Sequence, residues 1–166
     1  MIRILIATGQ TIFSEALSKL LSSDPLFEVT AICNDNAGTL AVSWNQQPDI
    51  VLLDINQDHA AAISVARKIV NCSRAKIIAL SAHHDADYGH HMLGAGATGY
   101  ITKLAPAAEM LHAVREVTKG NVYVFNDNKS LPGTKTGSNT LPAKRAAQPA
   151  GIAAAQHWHN ILHFPN

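Results

Sequence analysis

Apolar and polar positions along most of this chain follow two alternating periods. The run "IRILIA" (2–7) is short, apolar and rich in β-branched residues, the pattern of a strand. Next come Ile12, Phe13, Ala16, Leu17, Leu20 and Leu21, spaced as one face of a helix, with Thr11 placed to cap it and "SSDP" (22–25) to end it. "FEVTAI" (27–32) predicts a second strand, and residues near 35–46 a second helix. "DIVLLDI" (49–55) is apolar on both faces, as a parallel strand buried between two helical layers must be. A helix from about Asp58 to Val70, a strand "AKIIALS" (75–81), a helix over 85–95 and a short strand "GYIT" (99–102) follow. Pro106 opens a last helix, with Met110, Leu111, Val114 and Val117 on one face and Gly120 at its end. Five strand–helix units in this order predict an α/β fold, a doubly wound five-stranded parallel sheet with right-handed crossovers.

After Val124 the pattern stops. Residues 126–156 are rich in Gly, Pro, Ser, Thr, Asn and Ala and show no apolar period, which reads as a linker or disordered tail. The last ten residues hold Trp158, Ile161, Leu162 and Phe164, enough for one short docking turn. The expected organisation is a folded body over 1–124 and a tail over 125–166.

Composition adds mainly exclusions. At 47% hydrophobic and 15% charged residues, the chain of 166 residues can bury a core. The net charge is +1, about −2 on the body and +3 on the tail, too little to argue for nucleic acid or a membrane surface. Cys33 and Cys72 form neither a metal-type pair nor a disulfide framework. With no signal peptide and no run of about 18 apolar residues, the expected location is cytoplasmic.

In a parallel sheet of this kind chemistry gathers at the C-terminal strand ends. Those ends carry Thr8 and Gly9 after the first strand, Asp54 after the third, Ser81 after the fourth and Lys103 after the fifth. A carboxylate, a hydroxyl and an ammonium converging on one edge could hold a phosphoryl group, as nucleophile, phosphate contact and counter-charge. Taken singly, each has a plainer role: helix cap for Asp54 and Ser81, solvated surface cation for Lys103. The set at successive strand ends outweighs those separate readings.

These residues resemble the receiver domain of bacterial two-component response regulators, closest to the NarL/FixJ (LuxR-type) group. The resemblance is carried by "DIVLLDI", "IIALSA" and "GAGATGYITKLAPAAEMLHAVREVTKG" (94–120), and covers roughly residues 1–124. It implies a CheY-like (βα)5 receiver with Asp54 at the phospho-acceptor place. Ser81, Tyr100 and Lys103 would be its phosphate-contact and switch residues. It also implies a sensor histidine kinase or another signalling protein as partner, homodimer formation, a role in transcription regulation, and no catalytic turnover.

Three departures qualify what the resemblance implies. The family's acidic pair, which helps hold Mg²⁺, falls on Thr8 and Gly9 here. A single carboxylate with a hydroxyl is a poor donor set for a hard cation, so no cofactor is expected and Mg²⁺ binding should be weak or absent. The loop after Asp54 reads "NQDHAAA" in place of an "MPxxxG" pattern, with Asp58 read as a helix start. The stretch beyond Gly120 shows no helix-turn-helix pattern and no basic recognition helix, so direct nucleic-acid binding by this chain is not expected.

His84, Asp87 and His91 stand at i, i+3 and i+7 and could present metal ligands on one helical face. A polar surface helix accounts for them equally simply and is the favoured reading. The expectation is thus an atypical receiver, phosphorylation-impaired or phosphorylation-independent. The alternatives are slow or metal-independent phosphorylation at Asp54, and a small-ligand or metal-sensing module on the same fold.

Overall fold

A computed structural model describes residues 1–55, 58–82 and 86–125, together with the backbone of Ser138–Leu141. Its elements run β1 (Ile2–Ala7), α1 (Thr11–Leu21), β2 (Phe27–Cys33), α2 (Asn36–Gln46), β3 (Ile50–Ile55), α3 (His59–Cys72), β4 (Lys76–Ser81), α4 (Ala86–Gly94), β5 (Gly99–Thr102), α5 (Ala107–Thr118), β6 (Val122–Phe125) and β7 (Ser138–Leu141). They form one sheet of order β2-β1-β3-β4-β5-β6-β7, in which β1 to β6 are parallel and β7 is antiparallel to β6. The five predicted units are all present, and a sixth parallel strand extends the sheet beyond them.

The alternation of side chains along each strand builds two cores. Ile4, Ile6, Ile50, Leu52, Ile78, Leu80 and Ile101 face α1 and α5, while Leu5, Val51, Leu53, Ile77, Ala79 and Tyr100 face α2, α3 and α4. All six residues of β3 are buried, which explains why its sequence is apolar on both faces.

Helix ends follow local chemistry. Asp58 caps α3 by accepting from Ala61 N at 3.0 Å, as its helix-start reading required. Thr11, expected as a cap, is instead the first residue of α1; Gln10 stands at the cap position without a side-chain cap bond, its Oε1 accepting from Lys103 Nζ instead. α4 and α5 both close on a left-handed glycine. Gly96 (φ 101) donates to Leu93 O and Ala97 to Met92 O; Gly120 (φ 96) donates to Val117 O and Asn121 to Glu116 O. That paired pattern uses up the last carbonyls of each helix, and only glycine adopts such a φ without strain.

The tail expected over 125–166 lies outside the described residues, apart from Phe125 in β6 and the four residues of β7. None of the described helices is long and apolar enough to cross a membrane.

Candidate functional site

The C-terminal ends of β1, β3 and β5 bring Thr8, Asp54 and Lys103 to one point. Asp54, at the end of β3, has no solvent-exposed side-chain surface, and its partner Lys103 is 11% exposed. Lys103 follows β5 directly and is held by its own backbone, which donates to Ser81 O at 2.7 Å. Its Nζ lies 2.7 Å from Asp54 Oδ2 as a hydrogen-bond donor. It also lies 2.6 Å from Oδ1, but that approach lacks hydrogen-bond alignment, and Oδ1 accepts no hydrogen bond among the described residues.

The Thr8 hydroxyl completes the arrangement, donating to Asp54 Oδ2 at 2.5 Å while accepting from Gln10 N at 3.2 Å. One ammonium and one hydroxyl thus saturate one side of the carboxylate. Buried charges persist in folded proteins only when paired in this way.

Two residues in this site carry no recognisable sequence signal. Gln10 Oε1 accepts from Lys103 Nζ at 3.1 Å, and the Phe13 ring lies 4.8 Å from the same nitrogen. Together they fix the ammonium from the α1 side by a hydrogen bond and a cation–π contact. Phe13 reads in the sequence as one more apolar helix residue, and only the reach of the Lys103 side chain to its ring reveals its second contact.

Behind Thr8 and Gly9 lies a cavity of about 40 Å³, walled also by Asp35, Thr39 and Asp54, room for about one water molecule. Asp35 is the second carboxylate near the site, and it is committed to capping α2, where Oδ1 accepts from Gly38 N at 2.7 Å. Cys33 lines the same cavity; burial first, and the Asp35 charge second, push its thiol above the ordinary range. A Cβ at Gly9 would meet only Asn34 O, at 3.5 Å, so a side chain fits there.

Ser81 is buried one strand across from Asp54's strand, paired in register with Ile55. Tyr100 is fully buried on the α3–α4 side of β5. Asp87 and His91 are exposed on α4, while His84 lies outside the described residues. Among the described residues no three His, Cys, Asp or Glu side chains are grouped to hold a metal ion.

A wider cleft, about 460 Å³, opens at the opposite end of the sheet beside Gln47, Asp49, Arg74 and Lys76. Two of its charges already serve the fold: Lys76 Nζ donates to Val117 O and Thr118 O, and Asp49 Oδ2 accepts from Arg3 N. The convergent strand-end chemistry is all at Asp54.

Residues 4–115 match the response regulator receiver domain family. Over 124 residues the chain is 31% identical to the transcriptional regulatory protein DegU of Brevibacillus brevis, covering 74% of this chain and 52% of that protein. It is also 31% identical over 124 residues to the oxygen regulatory protein NreC of Staphylococcus haemolyticus, covering 74% and 57%. The chain thus spans about half the length of these relatives.

Among solved structures, the signal receiver domain of NarL from Mycobacterium tuberculosis superposes with a TM-score of 0.67 at 24% identity, covering 72% of this chain and 97% of that one. A LuxR-family two-component response regulator from Aurantimonas sp. SI85-9A1 superposes with a TM-score of 0.67 at 26% identity, covering 71% and 85%.

Proposed function

Because this chain belongs to the response-regulator receiver family, in its NarL/FixJ-type group, and is a receiver domain of two-component signalling, we propose that it acts as a phosphorylation-impaired protein-interaction switch. The observation that carries this reading is the state of Asp54. Its carboxylate is neutralised from within, by Lys103 and the Thr8 hydroxyl. Mg²⁺ needs several oxygen ligands in near-octahedral order. Among the described residues, the donors beside Asp54 are a hydroxyl already spent on it and a glycine with no side chain, and Asp35 is held at its helix. That donor set does not fit the ion, so no step of the mechanism runs through it.

Asp54 is the phospho-acceptor position, and Ser81, Tyr100 and Lys103 are the residues that would sense its state. Attack on a phosphodonor needs the carboxylate free and the incoming charge neutralised. Here the main cation is already bound to the nucleophile. Signalling then proceeds by binding to a sensor histidine kinase or another signalling protein in the cytoplasm, and by homodimer formation, without enzymatic turnover. It serves as the regulatory part of a transcription regulator whose DNA contacts are not made by the described residues.

The test is exposure of the full chain to acetyl phosphate with and without Mg²⁺, read by intact mass. We expect little or no phosphoryl adduct, and no acceleration by Mg²⁺. Stoichiometric Mg²⁺-dependent labelling that vanishes in Asp54→Ala would overturn the reading. A slow adduct indifferent to Mg²⁺ and lost in Asp54→Ala would instead identify a conventional acceptor working without the metal.

A further inference from the structure

The sixth strand changes the surroundings of Tyr100. In parallel register Tyr100 stands opposite Val124 and Gly99 opposite Tyr123, and Tyr123 N donates to Thr98 O at 3.0 Å. The backbone of β6 therefore runs in the space directly lateral to β5, where a five-stranded sheet would end. On the Tyr100 side of the sheet, one strand further out, Val122 and Val124 are each only 3% exposed. The surface beyond Tyr100 is thus itself closed.

On its other face β6 is fastened to α5. Tyr123 Oη donates to Glu109 Oε2, and the Tyr123 ring meets His112 edge-on at 5.4 Å. The turn from α5 into β6 is locked through Gly120 and by Asn121 Nδ2, which donates to Glu116 Oε2 at 2.8 Å. A tyrosine leaving the core toward the sheet edge would have to displace a hydrogen-bonded strand buried on both faces.

We propose that β6 is a built-in lock that holds Tyr100 in one buried position whatever the charge at Asp54. The surface formed by α4, β5 and α5 is then presented to partners in a single arrangement. This rests on the reading of Asp54 above and adds the element that fixes the output side.

The chain has three tyrosines, Tyr88 on α4, Tyr100 on β5 and Tyr123 on β6, so fluorotyrosine labelling of the full chain reports each element by ¹⁹F NMR. Tyrosine-to-phenylalanine variants assign the three resonances. In the unmodified protein the expected result is one Tyr100 resonance, shielded from a soluble gadolinium chelate and unchanged by Mg²⁺ and acetyl phosphate. Two Tyr100 resonances, or a chelate-exposed one, would overturn the lock.

Val124→Asp places an unpaired carboxylate on the buried strand and should make Tyr100 several-fold more sensitive to the chelate while Tyr88 stays unchanged. Val124→Ala should shift Tyr100 the same way by less, and decides the matter if Val124→Asp does not fold. A shielded, unmoved Tyr100 in the folded variant overturns the proposal. The two readings fail separately. An Asp54 adduct with Tyr100 unmoved sinks the phosphorylation-impaired reading and keeps the lock; a doubled Tyr100 resonance without any adduct does the reverse.

Discussion

Two lysines at opposite ends of the sheet show how differently the same side chain is used. Lys76, at the start of β4, ends on the backbone carbonyls of Val117 and Thr118, both at 2.9 Å. It neutralises the negative C-terminal end of α5, a partner that never changes its charge. Lys103, just past β5, ends on the buried carboxylate of Asp54. The first end of the molecule is built for constancy, and the second holds a buried ion pair at the strand-end site.

Breaking the two contacts should separate them by size. Lys103→Met strands a buried carboxylate and should cost about 3–5 kcal/mol in chemical denaturation, the range for a broken buried pair. The double variant Lys103→Met with Asp54→Leu should regain much of that loss, since it removes the stranded charge as well as its partner. Thr8→Val removes a hydrogen bond to a charged group and should cost about 1.5–3 kcal/mol. Lys76→Met should cost less, about 0.5–2 kcal/mol, because the α5 carbonyls it leaves can turn to water.

The constant end also has its own pH signature. Asp24 is held below the usual carboxylate range by the Leu26 backbone N–H first and Arg115 second, and Glu116 is lowered by Lys119 first and Asn121 second. Groups with depressed folded pKa values contribute stability that is fully present above their unfolded values, about 4. That contribution is lost as pH falls through the lower folded values. Unfolding midpoints should therefore stay level down to about pH 5 and drop in more acid solution, and Asp24→Asn with Glu116→Gln should flatten the acid limb.

The same contrast explains what the sequence reveals. Five strand–helix units are legible because each carries its own apolar period, and Asp54, Ser81 and Lys103 converge by topology once the strand order is known. β6 is not legible in this way: "VYVF" is four residues long, borders a change of composition, and becomes a strand only by pairing with β5 and packing on α5. Cross-chain contacts are equally hidden. Thr8 is visible as a missing carboxylate, but its hydrogen bond to Asp54 and the Gln10 and Phe13 contacts to Lys103 depend on side-chain placement. Thr11 looks like a cap by residue type, but the helix starts one residue earlier, with Gln10 O accepting its first bond from Ser14 N.

The central claim is that an internal cation, with a hydroxyl, does at Asp54 what a divalent ion would otherwise do. The most direct test is thermal unfolding of the full chain with and without millimolar Mg²⁺, beside the variant carrying Thr8→Asp and Gly9→Asp, which restores the acidic pair at a place where a side chain fits. A ligand that binds the folded state raises the midpoint in proportion to its occupancy. The account predicts no Mg²⁺-dependent shift for the unaltered protein and a clear upward shift for the double variant. A comparable upward shift in the unaltered protein, abolished by Asp54→Asn, would contradict it.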